Sequence, residues 1–109
     1  MDTALAPPSL EQMRQSADRA CRLMKALSNP DRLLLLCQLA QGEACVSDLE
    51  QRVGVSQPTL SQQLAVLREE GLVSTRREGK NIHYSLSSAA VQDVMAVLYA
   101  HFCSGGAAS

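Results

Sequence analysis

Aromatic side chains are scarce in this sequence of 109 residues, which has no tryptophan, two tyrosines and one phenylalanine. A platform that stacks the bases of single-stranded nucleic acid uses several aromatic rings, so this class of surface is disfavoured. Long apolar runs are also lacking, since runs such as residues 33–37 are far too short to cross a bilayer. The first eight residues have neither the basic start nor the apolar stretch of a secretory signal. We therefore expect one cytoplasmic domain with no membrane partner.

Patterns typical of enzymes are equally hard to find. The Gly79-Lys80 pair lacks the upstream glycine of a phosphate-binding loop. His101 and Cys103 are two positions apart on a predicted helix, so they point roughly 200° away from each other and do not suit a nucleophile and its base. We predict no catalytic residues, no cofactor and no enzymatic activity.

Charge is small overall but unevenly distributed. The net charge is −1, which by itself does not indicate a nucleic-acid partner. Residues 51–88, however, hold five lysines or arginines against three glutamates, a local net charge of +2. Contacts with phosphate are therefore expected from the middle of the chain.

Capping residues and apolar periodicity predict the order α-α-α-α-β-β-α. Ser9 and the Asn29-Pro30 pair open the first two helices, and a capping box at Ser47–Glu50 opens the third. Ser56 caps the fourth helix, residues 72–77 and 82–86 form strands joined by a turn at 78–81, and the last helix covers residues 88–103. We predict a domain at residues 9–103 between flexible tails at residues 1–8 and 104–109.

Two short helices joined by a glycine-containing turn and followed by a basic hairpin predict a winged helix-turn-helix, a mainly α fold with a β-hairpin wing. Side chains on the fourth helix can read base edges, while those on the wing can contact phosphates. The simpler alternative is a helical hairpin with a solvated polar face. The candidate DNA-binding residues are Ser56, Gln57, Thr59, Ser61, Gln62 and Gln63 on the helix, with Arg76, Arg77 and Lys80 on the wing.

Three segments resemble the ArsR/SmtB family of bacterial repressors. They read LSNPDRLLLL (27–36), SDLEQRVGVSQPTLSQQLAVLREEGLV (47–73) and RREGKNIHYSL (76–86). The resemblance implies a homodimer held by the first and last helices, which binds an inverted-repeat operator in double-stranded DNA. It also implies that an inducer releases the protein from its operator.

The four cysteines bear on the identity of that inducer. In a cytosolic protein Cys21, Cys37, Cys45 and Cys103 are expected to rest as free thiols. The contexts LLLLC and LYAHFC around Cys37 and Cys103 resemble the branch of the family that senses persulfides or oxidants through a dithiol. That resemblance implies a sensing pair at Cys37 and Cys103, with a small reactive sulfur species as inducer. An inert, packed Cys37 is the alternative.

Metal sensing is disfavoured by the residues at the positions that the family uses for metals. Members that bind arsenite or cadmium have three cysteines at the third helix, whereas only Cys45 is present here, with Ser47 and Glu50 in the other places. The zinc-sensing members use two ligand pairs on the last helix, which here has only Asp93, His101 and Cys103, at other spacings. We predict no metal site, and an arsenite-responsive or a general oxidant-responsive repressor remains as the alternative.

Overall fold

The computed structural model describes residues 7–103, which form five helices and a three-stranded antiparallel sheet. The predicted winged helix-turn-helix is confirmed, with one additional short strand before the third helix. The elements are α1 (Leu10–Leu27), α2 (Pro30–Leu39), β1 (Ala44–Cys45), α3 (Val46–Val53), α4 (Thr59–Glu69), β2 (Val73–Glu78), β3 (Asn81–Leu86) and α5 (Ala89–Leu98), followed by a π-helical segment, Tyr99–Cys103. The predicted tails, apart from Pro7 and Pro8, lie outside the described residues.

Side-chain caps fix the start of three helices, and the caps at Ser9 and Asn29 are those that the sequence predicts. The Ser9 hydroxyl accepts from the Gln12 backbone N–H, and the Gln12 side chain accepts from the Ser9 N–H, which completes a capping box. Asn29 accepts from the backbone N–H of Arg32 at 3.0 Å. Ser88 caps α5 in the same way. These caps satisfy N–H groups that have no partner within the helix.

The predicted caps of the helix-turn-helix are wrong. Helix α3 begins at Val46 rather than after Ser47, and its N-cap residue, Cys45, makes no side-chain cap bond. The reason is that Cys45 pairs with His83 of β3, so the chain stays extended up to that residue. Helix α4 begins at Thr59, and the side chain of Gln57, not that of Ser56, accepts from a backbone N–H in its first turn.

A leucine-rich core positions the helix-turn-helix. Gly54 ends α3 in the left-handed conformation at φ 74°, which suits glycine and turns the chain toward α4. Within residues 7–103 no polar or charged residue is fully buried. The largest fully buried side chains are Leu35, Leu36, Leu49, Leu60, Leu64, Leu67, Val91 and Met95. Helices α2, α3, α4 and α5 therefore share one apolar core.

Exposed apolar side chains also lie on the outer face of α1 and at the end of α5. Leu10, Met13 and Met24 on α1 are between 49% and 70% exposed, and Phe102 after α5 is 79% exposed. Cys21, on the same helix, is exposed as well. Exposed apolar side chains that lie together commonly mark an interaction site. Within residues 7–103 no helix combines the length and apolar character required to cross a membrane.

Candidate functional site

The polar residues predicted to contact DNA lie at the exposed start and flank of α4. Leu60, Leu64 and Leu67 hold the helix against the core. The opposite side is open: Ser56, Gln57, Ser61 and Gln62 are exposed, and Thr59 and Gln63 are partly buried. This placement leaves the N-terminal part of α4 accessible to a major groove.

Two of these glutamines are held by other side chains of the protein. Gln57 Oε1 accepts from the backbone N–H of Ser61 at 3.1 Å and from its hydroxyl at 2.6 Å. Gln63 Oε1 accepts from the guanidinium of Arg32 at 2.9 Å. Gln62, in contrast, makes no side-chain hydrogen bond within the described part of the chain. It is therefore the glutamine that is free to read a base edge.

Arg32 is a functional candidate that sequence reasoning missed. Its guanidinium donates to the backbone carbonyls of Ala26 at 2.6 Å and Lys25 at 3.2 Å, as well as to Gln63. It thus joins the end of α1 to the recognition helix α4. The available signal was a single cation, beside Asp31, in a helix that is otherwise almost entirely apolar.

The basic residues of the wing fall into two groups. Arg76 makes a bidentate pair with Glu43 at 2.9 and 2.8 Å, and it lies 3.6 Å from Glu78. The hydrogen bond from Arg76 lowers the pKa of Glu43, and the same bond raises the pKa of Arg76. Arg77 and Lys80 are exposed and form no ion pair within residues 7–103. They are the wing cations available to phosphate, whereas Arg76 fastens the wing to the segment before β1.

The cysteines Cys37 and Cys103 line the same small cavity. This cavity has a volume of about 180 Å³, and we call it the dithiol cavity. Its walls come from the end of α2, the end of α3 and the π-helical segment after α5. The lining residues are Leu34, Cys37, Gln38, Gln41, Arg52, Val53, Tyr99 and Cys103.

The two thiols differ in environment. Cys37 is partly buried, and its Sγ lies 3.7 Å from Met95 Sδ, to which the thiol donates. Burial raises the pKa of Cys37, and the nearby Cys103 raises it further. Cys103 is exposed. Cys103 is therefore the more accessible of the two thiols, and Cys37 is the one whose thiolate is disfavoured by burial.

Cys45 lies away from this cavity. Its Sγ is 3.2 Å from a carboxylate oxygen of Asp48 and 3.3 Å from the Ser47 hydroxyl. The hydrogen bond from the Cys45 thiol is the main reason that the pKa of Asp48 is lowered. Within residues 7–103 no three His, Cys, Asp or Glu side chains are arranged to hold a metal ion.

Fold and surface together define the class of protein: a winged helix-turn-helix of the kind that binds DNA. The model for "Bacterial regulatory protein, arsR family" matches residues 29–75. The biofilm growth-associated repressor of Xylella fastidiosa (strain Temecula1) is 46% identical over 94% of this chain and 90% of its own length. This chain therefore belongs to the arsR family of bacterial regulatory proteins.

Solved structures of similar proteins have the same fold. The crystal structure of the transcriptional repressor BigR from Xylella fastidiosa has a TM-score of 0.81 and 47% identity, covering 90% of this chain and 100% of that one. A solution structure of a homodimeric winged helix-turn-helix DNA-binding domain from Mycobacterium bovis has a TM-score of 0.71 and 33% identity, covering 88% of each chain.

Proposed function

We propose that this protein is a homodimeric repressor that binds an inverted-repeat operator while its thiols are reduced. Reactive sulfur species then release it by oxidising the dithiol of Cys37 and Cys103. The observation that carries the sensing part is that both thiols line one cavity, although 66 positions separate them in the sequence. The likeness to a biofilm growth-associated repressor supports the assignment of repression.

Dimerisation is supported by the uncovered apolar face of α1 and the end of α5. Among residues 7–103, Leu10 and Phe102 are the most exposed large apolar residues, at 70% and 79%. A second copy related by a two-fold axis would cover this face with the same face of its partner. The similar domain described as homodimeric is consistent with such an arrangement.

Operator binding is supported by the open start of α4 and by the free cations of the wing. In a two-fold dimer the recognition helices meet successive major grooves about 34–36 Å apart, which matches an inverted repeat. Gln62 is available to a base edge, while Arg77 and Lys80 are available to phosphates. Arg32 holds Gln63 and thereby sets the position of α4 relative to α1.

The chemistry of sensing has two steps. The Cys103 thiolate attacks the outer sulfur of a persulfide R–S–SH, RSH leaves, and Cys103 becomes a persulfide. Cys37 then attacks the inner sulfur, the bond between Cys37 and Cys103 forms, and H₂S leaves. The two thiols are oxidised together, the sulfane sulfur is reduced, and the thiol protons end on RSH and H₂S. A second persulfide that reacts before closure lengthens the bridge by one sulfur.

Coupling to DNA follows from where the two thiols lie. Cys37 is on α2, which packs against both helices of the helix-turn-helix, and Cys103 follows α5. A covalent tie between these elements biases the orientation of α4 relative to the dimer face. Allosteric couplings are typically about 1–3 kcal/mol, so we expect operator binding to weaken by roughly 5- to 150-fold.

Fluorescence anisotropy with the protein's own upstream DNA tests this proposal. Reduced protein should bind as a dimer, and glutathione persulfide should weaken binding until dithiothreitol restores it. Sedimentation of the same reduced sample should give a dimer at micromolar concentration. A monomer, or binding that is indifferent to persulfide, would contradict the proposal. Release by arsenite that depends on Cys45 would favour a metalloid-responsive repressor instead.

A further inference from the structure

We propose that Arg52 forms an anion-binding subsite in the dithiol cavity, which favours anionic persulfides over neutral reagents. The ligand class is a small persulfide in its ionised form, R–S–S⁻ or HS–S⁻. This inference rests on the proposed function of the dithiol, because it concerns how the reagent is selected before the thiols react.

The first observation is the composition of the cavity wall. Arg52 lines the cavity together with both thiols, and it is the one cation among the described residues that line it. Those lining residues include no carboxylate, and the remaining polar groups are Gln38, Gln41 and the Tyr99 hydroxyl. An anion that enters this space meets one positive charge and several neutral hydrogen-bonding groups.

The second observation is that the guanidinium of Arg52 is not occupied by the protein. Within residues 7–103 it makes no hydrogen bond and no ion pair. Asp48 lies one turn earlier on α3, and the charge of Arg52 helps to lower the pKa of Asp48. This effect is smaller than that of the hydrogen bond from Cys45. In contrast, Arg22, Arg32 and Arg76 each hold a side-chain or backbone acceptor. The five donors of Arg52 are therefore free for a ligand.

The positive charge of Arg52 distinguishes reagents that are anions from reagents that are neutral. Persulfides are more acidic than the corresponding thiols and are largely ionised near neutral pH, whereas hydrogen peroxide and organic trisulfides are neutral. A guanidinium binds the terminal sulfur anion and raises its local concentration beside Cys103. The Cys103 thiol then passes its proton to that sulfur, which leaves the Cys103 thiolate and the neutral R–S–SH that it attacks. The persulfide that forms on Cys103 is again anionic once its proton has passed to the leaving RS⁻, and the guanidinium stabilises it until the Cys37 thiol passes its proton to the outer sulfur and closes the bridge with loss of HS⁻.

The position of Arg52 adds a consequence for DNA binding. The residue lies in the last turn of α3, the first helix of the helix-turn-helix, while both thiols lie on other elements. An anion held between Arg52 and Cys103 therefore connects α3 with the end of α5 before any covalent tie has formed. The subsite thus connects the binding of the reagent with α3, the first helix of the helix-turn-helix.

Rates of thiol modification with two matched sulfane-sulfur donors test the subsite. The anionic donor is hydrogen disulfide, HS–S⁻, and the neutral donor is dimethyl trisulfide. Reduced full-length dimers of wild type, Arg52→Gln and Arg52→Lys are compared, with Arg19→Gln on α1 as a control for loss of an exposed arginine. Mass spectrometry follows the modification of Cys37 and Cys103, and circular dichroism checks that each variant is folded.

We expect Arg52→Gln to slow the reaction with hydrogen disulfide by about tenfold, the size of one charge-assisted hydrogen bond. The reaction with dimethyl trisulfide should change little, and Arg52→Lys should recover part of the loss. Equal slowing of thiol modification with both donors would show that Arg52 acts on the thiol and not on the reagent. An unchanged rate with both donors would show that Arg52 takes no part in the reaction. Either result overturns the subsite but leaves the dithiol proposal intact. Failure of the wild type to react at Cys37 and Cys103 would instead overturn the proposed function, and the subsite with it.

Discussion

Replacement of Arg32 by alanine should destabilise the domain more than the same replacement of an exposed arginine. The guanidinium donates to two backbone carbonyls at the end of α1 and to Gln63 on α4. Hydrogen bonds from a charged donor contribute about 1.5–3 kcal/mol each when well formed, and partners left without a donor add a desolvation cost. Arg32 is only partly buried and one of its three bonds is exposed, so the sum must be reduced for competition with water.

We therefore expect Arg32→Ala to lower the free energy of unfolding by about 2–4 kcal/mol. Urea denaturation at a fixed protein concentration measures this, since the stability of a dimer depends on concentration. Arg68→Ala on α4 is the matched control, because its side chain is exposed and makes no hydrogen bond within residues 7–103. Arg32→Lys keeps the charge but loses the fork of donors, and it should fall between the two.

Two results would refute this reasoning. If Arg32→Ala and Arg68→Ala destabilise equally, the three hydrogen bonds of Arg32 contribute nothing measurable. If Arg32→Lys is as stable as the wild type, a point charge is sufficient and the geometry of the guanidinium is irrelevant.

Three further predictions concern the wing, the recognition helix and the thiols. Lys80→Ala should weaken binding to operator and to random DNA alike and reduce the salt dependence by about one unit of slope. Arg76→Ala should leave that slope nearer the wild-type value, because Glu43 already neutralises this cation; equal slopes for both variants would contradict the division of the wing. Gln62→Ala should cost about 1–3 kcal/mol on operator but not on random DNA, and equal losses on both would show that no base is read. Alkylation of Cys37 should have a higher midpoint pH in the folded protein than in urea, because burial raises the pKa of this thiol. The same shift links stability to pH: the contribution of the protonated thiol to the free energy of unfolding is present at neutral pH and is lost as pH rises through the folded pKa. An unshifted or lower midpoint would contradict this.

Local signals account for the parts of the fold that the sequence predicts well. The capping residues Ser9 and Asn29 act on N–H groups within their own first turn, so a few neighbouring residues contain the whole interaction. The hairpin is local in the same sense, and its turn lies within the predicted residues 78–81, although Glu78 and Asn81 already pair as strand residues. Apolar spacing identified the buried face of α4 for the same reason.

Most of the missed features depend on residues far apart in the sequence. Strand β1 exists because residues 44 and 45 find β3, nearly 40 positions later, and this pairing moves the start of α3. The bond between Arg32 and Gln63 and the pair of Arg76 with Glu43 each cross more than 30 positions. Apolar periodicity and capping residues are local signals, so they do not predict contacts between residues this far apart. The pairing of Cys37 with Cys103 came from a family resemblance and not from the spacing of these residues.

The central claim is that oxidation of one dithiol controls DNA binding, and the most direct measurement combines mass with affinity. Wild type, Cys37→Ser, Cys103→Ser and the control Cys21→Ser are each treated with glutathione persulfide. Intact mass and operator affinity are then measured on the same samples. We expect the wild type and Cys21→Ser to gain a bridge within one protomer and to lose affinity, while the other two variants bind DNA and do not respond. Full release of the Cys103→Ser variant by persulfide would contradict the account.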